Sequence, residues 1–318
     1  MKSRDETIDV CKGIAMLLVI IGHLPTIFGS MIYHFHMALF FMLSGWCFKE
    51  KYIDDKWNFI IKRFKTLMLP FIAFKGIAYL ICKYCPDSMI PKYIEEYHLL
   101  GTMWFLKCLF VASVISLLLI YFEKIVKPIP IKLYPLILLI VAGLLNYCRL
   151  DDFANYCYIS FFYIVGFLLK VYFPSIINQL KFSYFNVLIL LGGVLILLLT
   201  YGKTICNLCD NNYITYLPYA LIAFIGSYLT IQLSARIAKL EFLKDFSIII
   251  GQNTMILLLY QFPAFMLIDL LIKNGLVVMN SDFNLFIAKL TAGIFLPMLL
   301  KYIYTKILNI FKFKLLLL

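Results

Sequence analysis

Ten apolar runs of membrane-spanning length fill most of this chain, and the stretches between them are too short to hold a separate soluble domain. Of 318 residues, 63% are hydrophobic and only 14% are charged. Soluble domains carry roughly 45–50% apolar residues, because a water-facing surface must be mostly polar. Lipid is therefore the solvent for most of these side chains, and each run reads as a helix of about 20 residues. The runs are Val10–Phe28, Met31–Phe48, Thr66–Cys85, Thr102–Tyr121, Ile131–Cys148, Tyr156–Tyr172, Tyr184–Tyr201, Tyr213–Ser234, Ile248–Ile272 and Asn284–Thr305. The expected fold is an all-α polytopic bundle of about ten transmembrane helices, forming one membrane domain over residues 1–318.

The charges orient it. With the N-terminus placed in the cytoplasm, and basic residues close to a span's end counted with the adjoining segment, 21 of the 29 Lys and Arg fall on the inner side, 5 on the outer side and 3 deep within spans. Cytoplasmic loops collect basic residues, so both termini are expected in the cytoplasm, in the inner (cytoplasmic) cell membrane. The same asymmetry accounts for the net charge of +12 without a nucleic-acid partner. The run after Lys12 is not followed by a small-x-small cleavage site, so the first helix is expected to be retained rather than removed as a signal peptide.

Ionisable residues at membrane depth need partners or a water-filled cavity, which makes each a candidate for function. His23 lies about 20 Å along the first helix at 1.5 Å per residue. Lys12 precedes it by eleven residues, about three turns, so the two share one helix face roughly 16 Å apart. That pairing suits a long ligand with an anionic end at the membrane mouth and a reactive end deep inside. Lys12 also has Asp9 one turn before it, and a simple boundary ion pair is the alternative. His36, Lys107, Gln261 and Lys289 fall near the level of His23 when counted from their helix ends. Lys62, Arg63 and Lys65 precede the third run and suit phosphate binding, or serve only as positive-inside flanks. Six of the nine cysteines (Cys82, Cys85, Cys148, Cys157, Cys206 and Cys209) fall near the outer face. Disulfides and a zinc site are both compatible with that placement, though no His stands at finger spacing and no metal is expected.

Three stretches resemble the acyltransferase 3 family of integral membrane acyltransferases. Asp9-Val-Cys-Lys12-Gly-Ile-Ala-Met-Leu-Leu-Val-Ile-Ile-Gly-His23 is similar to the family's first helix, with Lys12 where Arg is usual. Phe35-His36-Met-Ala38-Leu-Phe-Phe-Met-Leu-Ser44-Gly45-Trp46 is similar to its second, with Ala38 where Pro is common, and the basic run ending Lys62-Arg63-Phe-Lys65…Leu69-Pro70 follows. Trp104-Phe105-Leu106 opens the fourth helix as in the family. Gly251 to Gln261 resembles a ninth-helix run that usually ends in His.

The resemblance covers the whole chain in helix order, and the compact form is similar to fucose 4-O-acetylase-like members. It implies a catalytic His23 and acyl-CoA, with acetyl-CoA expected, as donor. It also implies a sugar hydroxyl of a cell-surface glycan or its lipid-linked precursor as acceptor. His23 is expected to act as general base in direct transfer, with an acyl-histidine intermediate as the alternative; Lys107 or His36 is expected to stabilise the oxyanion and Gln261 to orient a reactant. Lys12, Lys62, Arg63 and Lys65 are expected to hold the CoA phosphates. A polytopic transporter or glycolipid flippase is the rival reading, since intramembrane Lys and His also line transport paths. A catalytically dead member of the fold is a third, prompted by Gln261.

Overall fold

The computed structural model describes residues 6–26, 29–84, 89–97, 103–126, 130–177 and 216–315, together with isolated positions 187, 191–193 and 195. Every regular element among them is helical. In chain order the helices are α1 (Glu6–Gly22), α2 (Gly29–Tyr33), α3 (His36–Trp46), α4 (Lys51–Asp54), α5 (Lys56–Arg63) and α6 (Leu69–Tyr84). There follow α7 (Met89–Glu96), α8 (Trp104–Val126), α9 (Tyr134–Tyr147), α10 (Asp151–Tyr172) and α11 (Tyr216–Ile237). The last are α12 (Glu241–Gln252), α13 (Thr254–Lys273) and α14 (Asp282–Leu315). Six of the described helices are long and apolar enough to cross a bilayer, so the chain is a multi-pass helical membrane bundle. The expected seventh span, Tyr184–Tyr201, lies outside the described residues apart from isolated positions.

Several expected spans differ in detail. The second run breaks into α2 and α3 around His34 and Phe35, which leaves His36 as the first residue of a helix. The ninth breaks at Asn253 into α12 and α13. Hydropathy counts side chains and is blind to such breaks, because the backbone can leave the helix inside protein where other groups satisfy it. The third is longer than expected: helix runs from Lys56 to Tyr84 and takes in the basic cluster.

That long helix carries a π-helical turn at Phe64–Met68, where the Leu69 N–H bonds the Phe64 carbonyl. Pro70 explains it. A proline has no N–H and its ring clashes with the carbonyl four residues back, here Thr66; widening the preceding turn relieves both problems.

Two glycine-mediated crossings set the core. A Cβ on Gly13 would lie 2.0 Å from the Ser247 carbonyl oxygen, and one on Gly251 would lie 2.0 Å from that of Asp9. α1 and α12 thus touch backbone to backbone. Gly45 and Gly166 do the same for α3 and α10, at 1.8 Å from the Tyr163 oxygen and 1.9 Å from the Met42 oxygen. Lipid tails are as apolar as leucine, so helices in a bilayer associate by close packing, and small residues permit it. Around these crossings pack the buried rings of Tyr158, Phe162 and Tyr219. Ile72, Ile77 and Leu80 of α6 face outward, as lipid-facing residues should.

Candidate active site

α1 connects two cavities. The first, of about 290 Å³, is lined by Lys12, Met16 and Val19 of α1, with Ser44 of α3, Arg63 beside the π turn and Thr254 at the start of α13. The second, of about 360 Å³, is lined by His23, Tyr33, Glu96, Tyr97, Phe262 and Lys289. Residues 12, 16, 19 and 23 follow the spacing of a single helix face. The helix itself ends at Gly22, but the His23 N–H still reaches the Val19 and Ile20 carbonyls, both at 3.2 Å. His23 therefore prolongs the stripe that Lys12 begins.

The His23 ring is fixed from both sides. Its Nδ1 donates to the Val19 carbonyl at 2.7 Å. A carbonyl only accepts, so the proton sits on Nδ1, and Nε2 keeps its lone pair. The edges of Phe262 (4.8 Å between ring centroids) and Tyr33 (5.9 Å) flank the imidazole. His36 repeats the device: its Nδ1 donates to the Ile32 carbonyl at 2.7 Å, and its ring meets Tyr33 at 5.3 Å. Tyr33 thus lies between the two imidazoles.

His36 and Gln261 occupy the layer between the cavities. Met37 and Phe40, just after His36, line the Lys12 cavity, whereas Tyr33 before it lines the His23 cavity. On α13, Leu258 lines the first and Phe262 the second, with Gln261 between. Gln261 is 1% exposed, and neither amide atom has a hydrogen-bond partner. An unpaired amide in an apolar layer costs about 1–3 kcal/mol. Pro263, two residues on, cannot donate to the Leu259 carbonyl, which loosens the helix at this point.

The basic residues separate. Lys12 and Arg63 line the first cavity, and Lys12 also pairs with Asp9 at 3.8 Å. Lys62 and Lys65 are exposed on either side of Arg63 and are not among the lining residues. Lys107 lies over the ring of Tyr156 on α10, 5.5 Å from its centroid, and lines neither cavity. Lys289 sits in the second cavity, tied to Asp269 at 2.7 Å and to the Tyr97 hydroxyl at 2.9 Å. Tyr97 in turn donates to Asp269. Burial first, then that hydrogen bond, pushes the Tyr97 phenol above its ordinary value, so it stays protonated and neutral.

Sequence reasoning did not single out Tyr97, Glu96 or Asp269. A usable signal existed for Asp269: an acid inside the ninth apolar run, facing a lysine inside the tenth, is a ready ion pair. No group of three metal-ligating side chains occurs among the described residues. Cys82, Cys148 and Cys157 are free thiols; Cys85, Cys206 and Cys209 lie outside the described residues.

Residues 5–306 match the acyltransferase 3 family, described as an acyltransferase domain. No curated protein and no solved structure matches the chain significantly.

Proposed function

This chain belongs to the acyltransferase 3 family of membrane acyltransferases, and from that premise we propose that it is an O-acyltransferase moving an acyl group, acetyl first among candidates, from acyl-CoA to a sugar hydroxyl. The acceptor is a cell-surface glycan or its lipid-linked precursor. The whole chain acts as one catalytic unit in the cytoplasmic membrane. Both termini lie in the cytoplasm, a placement supported by the 21-to-5 division of loop Lys and Arg.

The observation that carries the reading is the α1 stripe, which leads from Lys12 in one cavity to a histidine with a free Nε2 in the other. The Lys12 cavity takes the CoA phosphates. It offers two cations, Lys12 and Arg63, and the uncapped start of α13, whose first N–H groups carry partial positive charge. The pantetheine arm runs along Met16 and Val19 toward His23. The acceptor hydroxyl docks in the second cavity. Nε2 of His23 removes its proton as the oxygen attacks the thioester carbonyl. The C–S bond then breaks, and CoA leaves as thiolate and takes the proton that His23 removed, which returns the imidazole to its neutral form. His36 and Gln261, in the layer the thioester must cross, are placed to orient or polarise it.

Mass spectrometry of surface glycans from cells with and without this gene tests the reading. An acyl increment, 42 Da for acetyl by simple mass arithmetic, present only with the gene supports it; identical glycans oppose it.

A further inference from the structure

The second cavity has a charge character that the family does not dictate. Among the described residues that line it, the one ammonium is Lys289, already matched by Asp269 at 2.7 Å and bonded to Tyr97 at 2.9 Å. Glu96, exposed at the end of α7, also lines the cavity. Among the described residues that line the cavity or pair with its lining, one ammonium thus stands against two carboxylates, a net negative balance. His23 adds no fixed charge when its Nε2 is the base. The remaining described wall is apolar, the rings of Tyr33, Phe262 and Phe265 beside Leu24 and Pro25.

Resting on the acyl-transfer reading, we infer that the unit acylated in this cavity is an uncharged glycosyl ring, not a uronic or other anionic sugar. An anionic acceptor would find no unmatched cation among the described lining residues. It would have to compete with Asp269 for Lys289, and it would feel the like charge of Glu96. A neutral pyranose meets complementary chemistry instead. Its hydroxyls take a donor from Lys289 and an acceptor from Glu96, and its apolar C–H face lies on the aromatic rings. Such a ring leaves one hydroxyl for His23. The cavity volume of about 360 Å³ lies at the low end of small-molecule sites, roughly 300–1,000 Å³, which suits one or two sugar units.

The test compares matched glycosides on the full-length protein in detergent. The probes are p-nitrophenyl glucoside and galactoside, each against its 6-carboxylate counterpart, p-nitrophenyl glucuronide and galacturonide. Binding is read as the rise in unfolding temperature with ligand concentration. Transfer from labelled acetyl-CoA is read in the same samples. At least one neutral glycoside is expected to bind about 10-fold more tightly than its uronide, a factor that corresponds to roughly 1.4 kcal/mol. Glu96→Gln is expected to narrow that gap to about 3-fold or less. Equal or tighter binding of the uronides overturns the inference, as does no binding in either series or a gap that survives Glu96→Gln. Selective binding of neutral glycosides without any acetyl transfer supports the charge assignment and counts against the acyltransferase reading itself.

Discussion

The Nδ1 of His23 lies 2.7 Å from the carbonyl oxygen of Val19, one turn earlier on α1. This contact fixes which nitrogen is free. Only Nδ1–H can satisfy a carbonyl, so Nε2 keeps its lone pair and the neighbouring backbone holds the ring in place. Nitrogen NMR of histidine-labelled protein is expected to show His23 as the Nδ1–H tautomer, identified by the signals lost in His23→Gln. An Nε2–H tautomer for that residue would remove the base from the second cavity.

Lys12 lines the first cavity, four helical positions short of Met16, whereas His23 lines the second. It is expected to bind ground state and transition state alike, so Lys12→Ala should raise KM for acyl-CoA and leave kcat nearly unchanged. A charge-assisted contact is worth about 1.5–3 kcal/mol, or roughly 10- to 150-fold in affinity. Steady-state kinetics over a range of acetyl-CoA concentrations checks this. A collapse of kcat at constant KM would place Lys12 in the chemistry instead.

Gln261 is buried with both amide atoms unpaired, an arrangement that costs stability in the resting protein and suits a group that serves a bound reactant. Gln261→Leu removes the unsatisfied amide and is expected to raise stability by about 1–3 kcal/mol. The same change is expected to lower acyl transfer by roughly 10- to 1000-fold. Gln261→His, which restores a polar contact, should keep activity. Thermal unfolding and transfer assays on the two variants settle the matter: an unchanged rate in the leucine variant would take Gln261 out of the reaction path.

The pair Lys289–Asp269 is held at 2.7 Å with both side chains largely buried. Removing one member leaves the other charge uncompensated, which costs about 3–5 kcal/mol in buried pairs. Lys289→Met alone should therefore sharply lower the unfolding temperature. Adding Asp269→Asn should recover most of the loss, since the two changes are strongly coupled. Additive losses in the double variant would mean that the two residues act independently.

Much of this arrangement was legible from spacing alone. A separation of eleven positions puts Lys12 and His23 on one face, and the structure sets that face along two cavities. The helical bundle followed from the apolar runs. The breaks at His34–Phe35 and at Asn253 were not legible, because both lie in or beside runs whose side chains stay apolar enough to pass as continuous. The polar triplet Gly251-Gln252-Asn253 marks the second break only once it is known that Gly251 presses on Asp9. The Tyr97–Asp269 hydrogen bond joins residues 172 positions apart, and Tyr97 belongs to a connecting segment that hydropathy leaves blank. Lys107 shows the limit of counting depth: its level matched His23 by residue number, but its own helix turns it toward Tyr156.

The proposed mechanism turns on one step, removal of the acceptor hydroxyl's proton by Nε2 of His23. Its most direct test is the rate of labelled acetyl transfer from acetyl-CoA to glycan by purified wild type and His23→Ala, matched for folded protein by size-exclusion profile and unfolding temperature. The expected result is a loss of about 10²- to 10⁴-fold, the contribution of a positioned general base, with acetyl-CoA affinity retained through Lys12 and Arg63. A well-folded His23→Ala protein that transfers acetyl at the wild-type rate would contradict it.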